Sequence, residues 1–174
     1  PEVTHADHRS RPEQPQPRHL HMMITIRDYR EDDAPAVGRL IAATFSEFNL
    51  AFASPEQLNA FLGPFRHADS AEPAHQEAIA RVIRSDIVFV AEDGSVIVGV
   101  LRGRKERLAS LFVRGDHHRQ GIGRQLVRRF EQACLQRGWM VIRLASTVYA
   151  VPFYQAMGYK RSTGLRSGWS FEGR

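Results

Sequence analysis

One cysteine, Cys134, stands in 174 residues, and a lone thiol excludes both a disulfide framework and a cysteine zinc site within one chain. Long apolar runs are missing too, since none approaches the roughly 20 residues that span a bilayer. The N-terminus lacks the apolar core of a secretory signal, so a reducing, cytoplasmic location without membrane contact is the expectation. No Gly-Lys-Ser/Thr ending of a P-loop occurs, and Gly121-Ile122-Gly123 is followed by leucine at 126 where a dinucleotide fingerprint needs its third glycine. Residues 1–21 are short of apolar side chains, with only Val3 and Leu20 larger than alanine, and hold four of the nine prolines and four of the eight histidines. Such a segment cannot bury enough surface to offset its ordering entropy. It reads as a disordered tail and not as a metal site, leaving 22–174 as a single domain without internal repeats.

What remains is ordinary soluble composition, 43% apolar and 25% charged. The net charge of +5 and a pI near 10 invite a nucleic-acid partner, yet the charge is unevenly placed. Glu31 to Ala80 holds eight acids against Arg39 and Arg66, whereas Arg114 to Arg129 holds five arginines against Asp116. One region suits a cation and the other an anion, as a two-substrate site requires. Nucleic acid is the lesser reading.

Periodicity orders the chain. "MITIRDYR" alternates as a strand. "EDDAPAVGRLIAATFSEF" has helical spacing at Val37, Leu40, Ile41 and Phe45 after an acidic start. Ser54-Pro55 opens a second helix, Gly63-Pro64 interrupts it, and "PAHQEAIARVIR" continues helically. "DIVFVAE" and "SVIVGVLRGR" form a hairpin through Asp93-Gly94, and "RLASLFV" is a third strand there. "GRQLVRRFEQACLQRG" is the clearest helix. "WMVIRLAS" is a strand, "AVPFYQAM" a short helix, and "YKRST" and "GWSFEG" are terminal strands. The order β-α-α-β-β-β-α-β-α-β-β predicts an α/β (α+β) fold with a mixed central sheet and helices on both faces.

The strand "RLASLFV" feeds the clearest helix through a glycine turn. A helix start offers N–H groups without intrahelical partners and the positive end of the dipole. Glycines admit a ligand close to the backbone, and Arg114, Arg119, Arg124, Arg128 and Arg129 flank the turn. Phosphate is the usual occupant of such a turn. His118-Arg119-Gln120-Gly121-Ile122-Gly123 after Leu111-Phe112-Val113 matches a Gln/Arg-x-x-Gly-x-Gly/Ala loop behind a Leu-x-Val strand. Ala150, Phe153, Tyr154, Gly158 and Tyr159 match an Ala-x-x-x-Tyr-x-x-x-Gly-Phe helix. Over roughly residues 23–172 the chain resembles the GNAT superfamily of acyl-CoA-dependent N-acyltransferases. It departs at His118, where the family usually has glutamine or arginine, and at Thr147, where many members carry asparagine.

The resemblance implies acetyl-CoA as co-substrate, no metal, and a primary amine on a small molecule or peptide as acceptor. It leaves a homodimer open. Cofactor contacts fall on Leu111, Phe112, Val113, His118, Arg119, Gln120, Gly121, Ile122, Gly123, Arg124, Ala150 and Phe153. Tyr154 takes the general-acid position, Ser146 is a candidate to relay protons, and Glu106 is the candidate base. The first helices line the acceptor pocket, with Glu47, Glu56 and Asp69 to attract a cationic amine and Phe45, Phe48, Phe52, Phe61 and Phe65 as an apolar wall. The alternative is a non-catalytic acyl-CoA-binding module.

Overall fold

The computed structural model describes residues 23–49 and 53–164. A strand β1 (Ile24–Asp28) leads through one 3₁₀ turn into α1 (Ala34–Asn49), and α2 (Pro55–Leu62) and α3 (Pro73–Ile83) follow. The strands β2 (Ile87–Asp93), β3 (Val96–Arg104) and β4 (Arg107–Val113) form a meander, then α4 (Ile122–Gln136), β5 (Arg143–Leu144) and α5 (Val151–Ala156) complete the described chain. The sheet order is β1-β2-β3-β4-β5, antiparallel until the parallel β4–β5 pair. Ser54 caps α2 as its sequence signal predicts, its hydroxyl taking the Gln57 N–H at 3.3 Å. Among the described residues no helix is long and apolar enough to cross a membrane.

Strand alternation sends side chains into two cores. Phe89, Ala91 and Leu101 join Leu126, Val127 and Phe130 of α4 in one layer. Val90, Val100 and Phe112 join Val37 and Ile41 of α1 and Ile79 and Ile83 of α3 in the other. Helices therefore cover both faces, as predicted. Two glycines of β3 set the seat of α4. A Cβ at Gly99 would stand 3.1 Å from Leu126 and 3.3 Å from Ile122, and one at Gly103 would overlap the Phe130 ring. With hydrogen in both places, α4 lies close on β3 and its first turn is delivered to the end of β4.

Two expectations are corrected. The strand expected over 139–146 is reduced to Arg143–Leu144, because β4 and β5 pair only at Arg107–Arg143 and Leu108–Leu144. A strand persists only where a neighbour takes its ladder. Tyr159–Thr163 forms no strand and pairs with none of the five. "GWSFEG" and residues 1–21 lie outside the described residues.

Candidate active site

Beyond Leu108 the sheet forks. Residues 110–113 of β4 keep β3 on one side, with Val113 opposite Gly99 and Leu111 opposite Leu101, but β5 no longer follows on the other. The Arg114 N–H donates back to Val98 at 2.8 Å. By strand alternation, Leu111 and Val113 then turn their peptide groups toward the open side. There the Val113 carbonyl accepts from the His118 ring Nε2 at 2.7 Å. An unsatisfied peptide edge between two diverging parallel strands is a binding surface for any extended chain with amides of its own.

At the mouth of the fork the chain turns into α4. Arg119 (φ 65°) and Gly121 (φ 81°) both adopt left-handed backbone, the curl that makes concave anion-binding backbone. No side chain caps α4, so its first N–H groups face outward with the positive end of the dipole. Gln120 braces the loop by donating to the Asp116 carbonyl at 3.1 Å, and buried Ile122 anchors the first turn in the core. The two glycines differ in purpose. Gly121 has open space where a Cβ would go, whereas a Cβ on Gly123 would stand 3.3 Å from the Phe153 ring and 3.7 Å from Leu111. Gly123 lets α5 close onto the loop, so Phe153 is packed against it.

The five arginines sort themselves. Arg114 is held by Asp116 at 2.7 and 3.0 Å, and Arg129 lies over the Phe89 ring at 4.6 Å. Arg119, Arg124 and Arg128 are exposed with no ion-pair partner among the described residues. The last two line a hollow of about 150 Å³ with Glu131, Ala156 and Met157. Beneath the loop, buried His117 is clamped between Asp116 at 2.7 Å and Asp93 at 3.3 Å. The hydrogen bonds from Arg114 and then His117 hold the Asp116 carboxyl down at about 2.

The last turn of α1 reaches across the other face of the fork. Phe45 meets Phe112 edge-on at 6.1 Å. Phe48 lies between His118, at 4.6 Å, and Tyr149, at 5.7 Å. Its ring edge and the Glu47 carboxylate meet over Gly115, each 3.2–3.3 Å from where a Cβ would stand. Phe65 is 1% exposed and belongs to the α1–α3 core, so it is no wall of a pocket. Phe52 lies outside the described residues.

Tyr154 is buried in the core layer that includes Leu108, with Leu111 and Leu144 packed against it. Its ring sits edge-on to Phe153 and Tyr159 at 5.0 and 5.7 Å. Burial pushes its phenol up to about 12. Ala150 gives the N-cap of α5, with its N–H on the Thr147 carbonyl at 3.1 Å. Ser146 is exposed after β5 and donates to the Thr147 carbonyl at 2.8 Å. Glu106 is elsewhere. It lies in the β3–β4 turn, paired with Arg143 at 3.2 Å, at the closed end of the β4–β5 pair. A strand of seven residues at about 3.3 Å each separates it from the loop. The fork thus brings Leu111, Val113, His118, the β4–α4 loop and Phe153 together, Tyr154 lies in the core layer behind them, Ser146 follows β5, and Glu106 stands at the other end of β4. Sequence pattern does not single out His117 or Tyr149. The first is hidden in a run of polar residues, and the second acquires meaning only from its stacking on a helix about 100 residues earlier. No group of three or more metal-ligating side chains is gathered among the described residues.

A forked mixed sheet with an uncapped glycine-turn helix at its mouth defines the acyltransferase class built on this fold. Residues 49–167 match the family described as "Acetyltransferase (GNAT) domain", and the chain belongs to that family. Human N-acetyltransferase 8 is 32% identical over 92 residues, covering 45% of this chain and 40% of that protein. The match thus spans less than half of the curated relative's length. A GCN5-related N-acetyltransferase from Rhodopseudomonas palustris superposes with a TM-score of 0.63 at 18% identity, covering 80% of this chain and 82% of the other. The PaiA N-acetyltransferase of Thermoplasma acidophilum, solved with coenzyme A, superposes with a TM-score of 0.59 at 16% identity over 79% and 88% of the two chains. At such identities these two structures speak for the fold alone.

Proposed function

We propose that the chain transfers an acetyl group from acetyl-CoA to a primary amine by direct attack in a ternary complex. The observation that carries this is the fork itself, with the peptide edge of Leu111 and Val113, occupied only by the His118 bond to the Val113 carbonyl, opening beside an uncapped helix start. The N–H groups of Ile122, Gly123 and Arg124 face the pyrophosphate, with Arg119, Arg124 and Arg128 supplying positive charge. The edge of β4 takes the pantetheine amides, for which His118 shares or yields the Val113 carbonyl. One N–H of this edge polarises the thioester carbonyl, a preorganised dipole typically worth about 3 kcal/mol in such sites.

The neutral amine nitrogen forms the new N–C bond, the C–S bond breaks, and the sulfur leaves with the electron pair. Tyr154 stands at the family's proton-donor position. Its raised pKa keeps it a phenol throughout the functional range, and burial raises a thiol placed beside it as well, so donor and acceptor stay near match. With Glu106 outside the fork, the amine's own proton leaves through water, for which exposed Ser146 is the relay. An α-amine, whose deprotonation at pH 7 costs about 1 kcal/mol, needs nothing more, whereas a lysine-type amine, at about 4.6 kcal/mol, needs a carboxylate of the acidic helices beside it.

Thiol release from acetyl-CoA across amines tests the proposal. Tyr154→Phe is expected to lower kcat by about 10²-fold or more while calorimetric CoA affinity stays within twofold, roughly the scatter of a surface-neutral change. The displaced Glu106 favours the second reading, a non-catalytic acyl-CoA module. Tight CoA binding with no amine ever acetylated would establish it.

A further inference from the structure

We propose that the acceptor is a monocation carried on an apolar body, an arylalkyl- or alkylamine, whose body packs on Tyr149 and whose ammonium meets Glu47. The inference rests on the acetyltransferase reading and names its substrate class. Its starting point is the fate of the acids. Eight lie between Glu31 and Ala80, a composition that by itself suggests a polycation. In the fold five of those eight acids are engaged by neighbouring groups, while Asp32 and Asp69 are exposed without a side-chain partner among the described residues. Glu31 and Glu77 hold Arg84 at 2.8 and 3.0 Å, Asp33 holds Arg27 at 2.7 Å, and Glu72 sits 3.3 Å from His75. Glu56 accepts from the Ser54 hydroxyl at 2.9 Å at the start of α2.

Glu47 is the acid of this group whose contacts reach the β4–α4 loop, beside Gly115. The other carboxylate of that loop, Asp116, is shared by Arg114 and His117. Among the described residues Glu47 is therefore the one carboxylate beside that loop without an ion pair, and Arg119, next to His118 in the chain, is likewise unpaired. One carboxylate compensates one ammonium. A second positive charge would meet no further carboxylate beside that loop among the described residues and would face Arg119, which repels it.

The rest of that face is apolar. His118, Phe48 and Tyr149 form a continuous stack. Its outer member, Tyr149, is 63% exposed, next to Val148 at 69%. Phe48 is held by the end of α1, so Tyr149 keeps its support whether or not His118 yields the Val113 carbonyl to the cofactor. A stack so held, with a bare outer ring, offers a flat apolar acceptor a face beside the fork without any rearrangement.

The test measures thiol release at saturating acetyl-CoA with 2-phenylethylamine, ethylamine and spermidine, in wild type, Tyr149→Ala and Glu47→Gln, alongside calorimetric CoA binding to each. Phenylethylamine is expected to exceed ethylamine in kcat/KM by about thirtyfold, the effect of burying roughly 80 Å² of ring. Tyr149→Ala should reduce that ratio to about threefold or less, since truncation removes most of the face. Glu47→Gln should raise KM for both monoamines about tenfold, as loss of one charge-assisted contact does. CoA affinity within twofold of wild type in both variants shows that they are folded. A preference for spermidine, or an aryl preference untouched by Tyr149→Ala, overturns the inference while leaving acetyl transfer standing. Failure of wild type to bind CoA, or to acetylate any amine, overturns both.

Discussion

Gly121 and Gly123 stand one residue apart, and substitution should separate their roles. Gly121 is needed for its left-handed backbone at φ 81°, with nothing within 4 Å of a would-be Cβ. Alanine fits the space but not the dihedral, at a cost of about 1–2 kcal/mol. Relaxation of that strain would turn the loop N–H groups away from their anion. Gly121→Ala should therefore lose both stability, seen in urea denaturation, and CoA affinity, seen by calorimetry. Gly123→Ala meets a phenylalanine edge that must give by a few tenths of an ångström, so its effect should be on CoA binding with little on stability. Equal stability losses in the two variants would show that the left-handed turn is not what singles out Gly121.

At the scale of elements, the seat of α4 on β3 decides where the anion loop is presented. Gly103→Ala drives a methyl into the Phe130 ring, which is 0% exposed and cannot swing into solvent. Overpacking of this kind costs about 1–3 kcal/mol, and a thermal melt should show it. An unchanged Tm would mean that the helix can slide on the sheet. The entry to α1 is fixed differently. Asp33, 9% exposed, accepts from both Arg27 guanidinium nitrogens at 2.7 and 2.8 Å and from the Arg30 N–H at 2.7 Å. The Arg27 hydrogen bonds, chiefly, hold its carboxyl below the usual range. A depressed carboxyl stabilises the fold above its unfolded pKa of about 3.9 and loses that contribution as pH falls through the lower folded value. Asp33→Asn should cost about 2 kcal/mol at pH 7, discounted from a fully buried pair because Arg27 is part-exposed. The difference from wild type should shrink below about pH 4; a gap constant down to acid pH would refute the linkage.

The same elements show what was legible in advance. The alternation of Phe89 and Val90 into opposite cores, the Ser54 cap and the amphipathic α4 are local patterns, and local patterns are written in consecutive residues. The extent of β5 is not, because its ladder ends where β4 bends away. Glu106 is the candidate base only by the family resemblance, and the extended strand β4 carries it to the end away from the loop. The stack of Phe48 between His118 and Tyr149 joins three distant segments, and no periodicity announces such a meeting.

For the whole molecule, the decisive property is how the charge is partitioned. The net of +5 is not spread over a binding face of the kind a nucleic acid would track. In the acid-rich half Asp33, Glu31 and Glu77 are paired with Arg27 and Arg84, while Arg119, Arg124 and Arg128 at the fork's mouth form no ion pair among the described residues. On the proposed function a polyanion the size of CoA would be drawn to one point, and the attraction would act on approach more than on its contacts with the loop N–H groups. Focusing of this kind raises association rates by about 10-fold or more at low ionic strength and is screened by salt. In stopped-flow mixing, the association rate for CoA should fall about tenfold between low salt and roughly 0.3 M, where the Debye length is near 5–6 Å, with dissociation changing much less. Arg128→Gln, which removes one of the two arginines beside the α4–α5 hollow, should flatten that dependence without moving Tyr154 or the fork. If dissociation carries the salt effect instead, the arginines grip the bound phosphates directly, and the loop N–H groups contribute less to binding than their geometry suggests.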